Sequence, residues 1–163
     1  MSTIHELRRI LGGCRTLAVV GLSAQWHRPS FFAAKYMQAH GYRIVPVNPT
    51  VTEILGERSY PSVTAAAEAL AEQGQRIDIV DCFRRTEEIP PLAEEAIAVG
   101  AKCLWQQIGV VNEAADARVR AAGLWSVMNR CVKIEHARLF GGLNWAGVDT
   151  RVISARRPQQ LFY

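Results

Sequence analysis

The side chains whose types and spacing could do chemistry begin with an anion site. Gly21-Leu22-Ser23 follows the apolar run Thr16-Leu17-Ala18-Val19-Val20, and Arg28-Pro29-Ser30 comes shortly after it. Gly21 lets the chain turn sharply, and Ser23 is small enough for the backbone to approach a ligand closely. A helix opening at Pro29 presents free N–H groups and a positive dipole end, to which Arg28 adds charge and Ser30 a hydroxyl. The same residues equally make a plain turn between a strand and a helix. One glycine of the three in a dinucleotide fingerprint is present and the phosphate-loop lysine is missing, so neither motif is supported.

Further polar groups follow other apolar runs. Phe83-Arg84-Arg85 stands before a helix start at Pro90-Pro91, where two guanidinium forks could clamp a pyrophosphate or a ribose phosphate, or simply lie in solvent. Gln106-Gln107-Ile108-Gly109 offers uncharged amides suited to an amide-bearing ligand, or to loop backbone groups. Asn48-Pro49-Thr50 ends the second run without the acidic group that nicotinamide dinucleotide sites use for the ribose hydroxyls. Cys131, Glu135 and His136 follow the last run, and a Cys/His pair can support nucleophilic chemistry. Their spacing does not place the two side chains squarely together on a helix, so a buried structural thiol beside an ion-paired helix is the plainer reading.

Composition narrows the partners. Sixteen of the 19 basic residues are Arg, the net charge is +4, and no Lys/Arg block exceeds two. That pattern suits a few phosphate or carboxylate contacts better than a nucleic-acid face, and we expect no nucleic acid as partner. Cys14, Cys82, Cys103 and Cys131 form no metal-like spacing and mostly adjoin apolar runs, which predicts free thiols, no metal site and a reducing, cytoplasmic setting. No run reaches the ~20 apolar residues of a membrane span, and charges at Glu6, Arg8, Arg9 and Arg15 argue against an export signal.

These residues need elements to hold them. Thr3-Ile4-His5-Glu6 reads as a capping box opening a short helix. Apolar runs at 16–21, 43–47, 77–83, 102–107 and 124–128 read as strands covered on both faces. Between them lie helix patterns at 29–40, 62–72, 91–99 and 112–122, and 129–139 reads as a loop opening a last helix. The alternation predicts an α/β fold, a doubly wound sheet of about five parallel strands with helices on both faces, in a single domain. Residues 1–139 would form it, with 140–163 as a C-terminal extension packed on the same domain. In such a sheet ligands bind at the carboxyl ends of the strands, the edge on which Arg28, Arg84, Arg85 and Arg130 fall.

The segments GLS, RPS, YRIVPVNPT, EILGERSYPS, DIVDCFRRTEEIP, EEAIAVGAKCLWQQIGV and MNRCVKIEHARL, in this order, cover residues 5 to 139. They resemble the small stand-alone CoA-binding proteins, relatives of the CoA-binding domain of the succinyl-CoA synthetase alpha subunit. The resemblance implies a Rossmann-like domain with coenzyme A or an acyl-CoA across the strand ends. It implies phosphate contacts from Gly21, Leu22, Ser23, Arg28, Pro29 and Ser30, and adenosine contacts from Asn48, Pro49 and Thr50. Phe83, Arg84, Arg85 and Pro90 would meet nucleotide or pantetheine, and Gln106, Gln107 and Gly109 the pantetheine arm. Thr50 stands where the synthetases often carry a basic residue. The synthetases' phosphohistidine domain and ATP-grasp partner have no counterpart in 163 residues. We therefore expect a non-catalytic binding, carrier or sensor protein, with a homodimer or partner protein possible. The alternatives are a nucleotide-dependent enzyme, either an NAD(P) oxidoreductase or a CoA-linked acyl transferase using Cys131 or His136, and an interaction protein with a vestigial site. A thiol at Cys131 beside a CoA sulfhydryl also suits a mixed disulfide.

Overall fold

The computed structural model describes residues 2–141. Helix α1 (Ile4–Gly13) begins with the expected capping box: Thr3 Oγ1 accepts from Glu6 N at 3.2 Å, and Glu6 Oε2 accepts from Thr3 N at 2.7 Å. Then follow β1 (Thr16–Val20), α2 (Pro29–Ala39) and β2 (Arg43–Val47). A short hairpin, β3 (Glu53–Ile54) and β4 (Glu57–Arg58), precedes α3 (Val63–Ala71). The chain continues through β5 (Ile79–Cys82), a 3-10 turn (Thr86–Glu88), α4 (Ile89–Ala98), β6 (Cys103–Gln106), α5 (Glu113–Ala121), β7 (Trp125–Val127) and α6 (Val132–Phe140).

Five strands pair in parallel in the order β2-β1-β5-β6-β7. Their apolar runs are continuous because both faces are covered. Leu17, Val19, Ile44 and Ile79 pack with Leu7 and Leu11 of α1, Met37 of α2 and Leu139 of α6. Ala18, Val20, Val45 and Val80 pack on the other side with Leu70 of α3, Ala93 of α4 and Val119 of α5. Most of these side chains are fully buried, each worth roughly 1.5–3 kcal/mol for the larger aliphatics. The doubly wound expectation is met, with the order reversing between β1 and β5.

Three details differ from the sequence reading. The last three strands are shorter than their apolar runs. Asp78, at the foot of β5, uses its carboxylate to accept from Arg15 N at 2.8 Å and Thr16 N at 3.1 Å. Helix α4 begins at Ile89, so Pro90 and Pro91 lie inside its first turn, where a missing N–H costs nothing. The β3–β4 hairpin was not expected; its two turn residues, Leu55 and Gly56, both have positive φ (56° and 75°), which a Leu-Gly pair does not advertise. Most of the proposed 140–163 extension, with its apolar stretch at 151–155, lies outside the described residues. Among the described residues, no helix is long and apolar enough to cross a membrane.

Candidate functional site

The ligand edge opens where β1 and β5 part. Gly21 leaves β1 at φ +81°, anchored by its N–H to Val47 O at 3.0 Å. A Cβ there would collide with the Phe83 carbonyl oxygen and lie 2.8 Å from Arg84 Cδ, so the crossing chains touch backbone to backbone. Beyond it, Ser30 Oγ accepts from Ser23 N at 3.0 Å and ties the loop to the first turn of α2, whose Pro29 fills a position where no N–H is needed. Asn48 Nδ2 donates to Leu22 O at 2.9 Å and joins the same loop to the end of β2.

Two cavities meet here. One, of about 860 Å³, is lined at one end by Gly21, Ser23, Arg28, Pro29, Ser30, Arg84 and Arg85, and at the other by Gln107, Ile108, Val110, Cys131 and Ile134, with Phe83 among its walls. The second, of about 520 Å³, is walled by Val47, Asn48, Pro49, Pro61, Ser62, Val63 and Leu92. Both share Gly21, Ser23, Arg84 and Glu88. Arg84 pairs with Glu88, whose carboxyl is held below its ordinary range first by the Arg85 backbone N–H and then by the Arg84 side chain. Among the described residues, Arg28 and Arg85 have no ion-pair partner. The shared floor thus combines a close-approach glycine with the Arg84–Glu88 pair, and the larger cavity adds the free cations Arg28 and Arg85 and the N-terminus of α2.

Six of the expected residues line neither cavity. Leu22 is fully buried: the turn at Gly21 (φ +81°) breaks the strand alternation and sends its side chain into the core on the face of Leu17 and Val19, not that of Ala18 and Val20. Thr50 bonds Asn48 Oδ1 through both its N–H (2.9 Å) and its hydroxyl (2.8 Å) and so shapes Asn48. Pro90 points outward from α4, while Pro91 and Leu92 reach the second cavity. Gln106 is buried and bonds Asn112 twice, accepting from its N–H at 2.8 Å and donating to its carbonyl at 3.3 Å. Gly109, at φ +83°, donates to Asn129 Oδ1 at 2.8 Å. Arg130 pairs with the fully buried Glu135 at 3.0 Å, and its carbonyl accepts from Trp105 Nε1 at 2.7 Å. These side chains hold the frame.

The Cys/His alternative finds no assembled pair. Cys131 lines the larger cavity at the N-terminus of α6. His136 instead meets the Tyr36 hydroxyl at 3.0 Å and packs among Tyr42, His40 and Phe140; burial foremost lowers its pKa. No hydrogen bond joins Cys131 to His136 among the described residues. Burial, outweighing the pull of the Ile134 and Lys133 amides, raises the Cys131 thiol above its ordinary value. Cys14, Cys82 and Cys103 are buried free thiols. Among the described residues, no group of three His, Cys, Asp or Glu is placed to hold a metal ion.

One polar group lay hidden in an apolar run. Asp81 on β5 is 1% exposed, accepts from Gln107 Nε2 and has no cationic partner among the described residues. Burial pushes its carboxyl up to about 7, the Gln107 bond pulling the other way.

The sequence profile of the CoA binding domain matches residues 15–137. The chain belongs to the CoA binding domain family. It is 41% identical over 132 residues to the protein YneT of Bacillus subtilis (strain 168), covering 81% of this chain and 93% of YneT. A protein of known structure from Pyrococcus horikoshii OT3 is 36% identical with a TM-score of 0.77, over 86% of this chain and 94% of that one. The dinucleotide forming acetyl-coenzyme A synthetase 1 of Ca. Korarchaeum cryptofilum contains a similar unit at TM-score 0.60 and 18% identity, covering 76% of this chain and 28% of the synthetase; that likeness concerns the fold alone. Every residue of the larger cavity's wall lies within the span that matches this CoA binding domain.

Proposed function

We propose that this CoA binding domain holds one molecule of coenzyme A, or an acyl thioester of it, across the two cavities, and that it acts as a non-catalytic binding, carrier or sensor protein. The observation that carries the reading is the joining of two cavities at Gly21 and Arg84, with Arg28 and Arg85 in the wall of the larger one. A pyrophosphate over Gly21–Ser23 would meet the α2 N-terminus with Arg28, Arg84 and Arg85. The adenosine would enter the smaller cavity against Val47, Asn48, Pro49 and Leu92. The pantetheine arm would run past Gln107 toward Ile108, Val110 and Ile134. The raised Cys131 thiol and the separate engagement of His136 support a binding role over nucleophilic catalysis.

Titration calorimetry with CoA, acetyl-CoA, NADP and ATP tests the reading. Heat from CoA or acetyl-CoA is expected; saturable binding of NADP without CoA binding would sink it. Arg84→Ala is expected to weaken CoA by about 1–3 kcal/mol, roughly five- to 150-fold, because a phosphate would lose a charged donor. Unchanged affinity in the same titration would reduce Arg84 to a surface charge paired with Glu88.

A further inference from the structure

The far end of the larger cavity presents a thiol that reversible binding does not use. Cys131 lies there beside Ile108, Val110 and Ile134, whereas the other three cysteines are 0% exposed. Its loop is pinned: Trp105 Nε1 donates to Arg130 O at 2.7 Å, Arg130 N to Gln106 O at 3.3 Å, and Asn129 N to Val110 O at 3.2 Å. The Cys131 position is therefore fixed relative to the strand ends.

A second group in the same cavity points to a ligand independently. Gln107 is 4% exposed, lines the cavity and donates Nε2 to Asp81. Among the described residues nothing donates to its Oε1, which is not sealed from solvent as a buried orphan would be and so stays open to accept from a bound group. The amide N–H groups of a pantetheine arm are such donors, and they lie between the phosphates and the sulfur of CoA. An arm that starts at Arg84 and bonds Gln107 carries its sulfur on toward the apolar end where Cys131 stands.

We infer that Cys131 is a site of covalent CoA capture, forming a mixed disulfide by exchange with CoA disulfide; the inference rests on the CoA reading above. The Cys131 thiol gives its proton to water, and its sulfur attacks the nearer sulfur of the disulfide. The Cys131–CoA S–S bond forms as the original S–S bond breaks, and the second CoA leaves as a thiolate that takes up a proton. The Cys131 sulfur is oxidised and the departing CoA reduced, so no further oxidant is required. A thiol of ordinary or low reactivity depends on the bound geometry for its rate, which makes the capture selective for a disulfide that fits the cavity.

The test incubates the full chain with CoA disulfide and, separately, with the same concentration of glutathione disulfide, followed by intact mass and peptide mapping. One CoA per chain is expected, mapped to Cys131, reversed by dithiothreitol, and formed at least about tenfold faster than the glutathione adduct because the site concentrates its ligand. Acetyl-CoA, which has no free thiol, should suppress the reaction, and Cys131→Ser should take no CoA. Mapping on the unmodified sequence locates the adduct whatever the variant's folding. Reversible CoA binding by calorimetry with no adduct, with an adduct elsewhere, or with equal rates for the two disulfides overturns the inference and leaves the binding reading standing. Absence of any CoA binding, together with no preference for CoA disulfide, overturns both.

Discussion

Gly21→Ala is expected to destabilise the protein by about 3 kcal/mol or more, lowering Tm by something on the order of 10 °C. Two costs combine at this position. The φ of +81° disfavours any Cβ, and the added methyl would strike the Phe83 carbonyl oxygen and crowd Arg84 Cδ. The clash with Phe83 is with backbone at the exit of the neighbouring central strand, which cannot move without separating β1 from β5. Gly41 supplies the internal comparison: its φ is +87°, yet nothing lies within 4 Å of where its Cβ would sit, so Gly41→Ala should cost only about 1 kcal/mol. Urea denaturation of both variants checks the point. Equal losses would mean that crowding at the crossing contributes nothing.

Asp81→Asn is expected to change the pH dependence of stability. The Asp81 carboxyl has an ordinary value of 3.8 and is pushed by burial up to about 7 in the fold. Below pH ~4 it is protonated in both folded and unfolded chains and costs nothing extra. As pH rises through that point the unfolded chain releases its proton first, so the native state loses stability progressively until the folded group ionises near 7. The difference corresponds to roughly 4 kcal/mol when complete. Asn has no such proton, and its Oδ1 can still accept from Gln107 Nε2. The variant should therefore lie within about 1 kcal/mol of the parent at pH ~4 and exceed it by a few kcal/mol at pH ~8.5. Asp78 works in the opposite sense: burial is outweighed by bonds from Lys102, Arg15 and Thr16, its carboxyl sits low, and stability is lost as pH falls through it. That contribution is common to both proteins and cancels in the comparison. Denaturation at the two pH values decides; parallel pH curves would show that Asp81 is not buried as a protonated acid.

The sheet was legible because its signals are local and redundant. Five apolar runs, each followed by helix-compatible sequence, could hardly be anything but crossover units, and the Thr3–Glu6 capping box formed as its residue types require. The turn after β1 was legible for the same reason: glycine ends an apolar run just before a helix with proline in its first turn. The facing of individual side chains was not. Gln106 and Gln107 are chemically identical neighbours, yet one bonds Asn112 and the other reaches Asp81 and the cavity. Only strand register separates them, and a sequence does not show it. Leu22 went inward because the positive-φ turn at Gly21 switches it to the face of Leu17 and Val19, which its residue type does not show. The walls formed by Pro61–Val63 and Leu92 come from the starts of α3 and α4, which become neighbours of β2 only after the crossovers are made. Asp81 escaped notice because one acid in an apolar strand reads as filler until its burial is known.

The interior position of β1, between β2 and β5, also bears on how the protein is made. During synthesis the first strands to leave the ribosome are β1 and β2, which pair with each other and leave the other edge of β1 open until β5 arrives. That edge carries a row of unpaired backbone groups flanked by Leu17 and Val19, which is where a nascent chain would meet a chaperone or another unfinished chain. The walls of the larger cavity are drawn from residues 21 to 134, so nothing can occupy it until α6 has begun to emerge. A ligand therefore cannot guide the early steps; it can only latch the finished product, adding stability by mass action after the last crossover has closed.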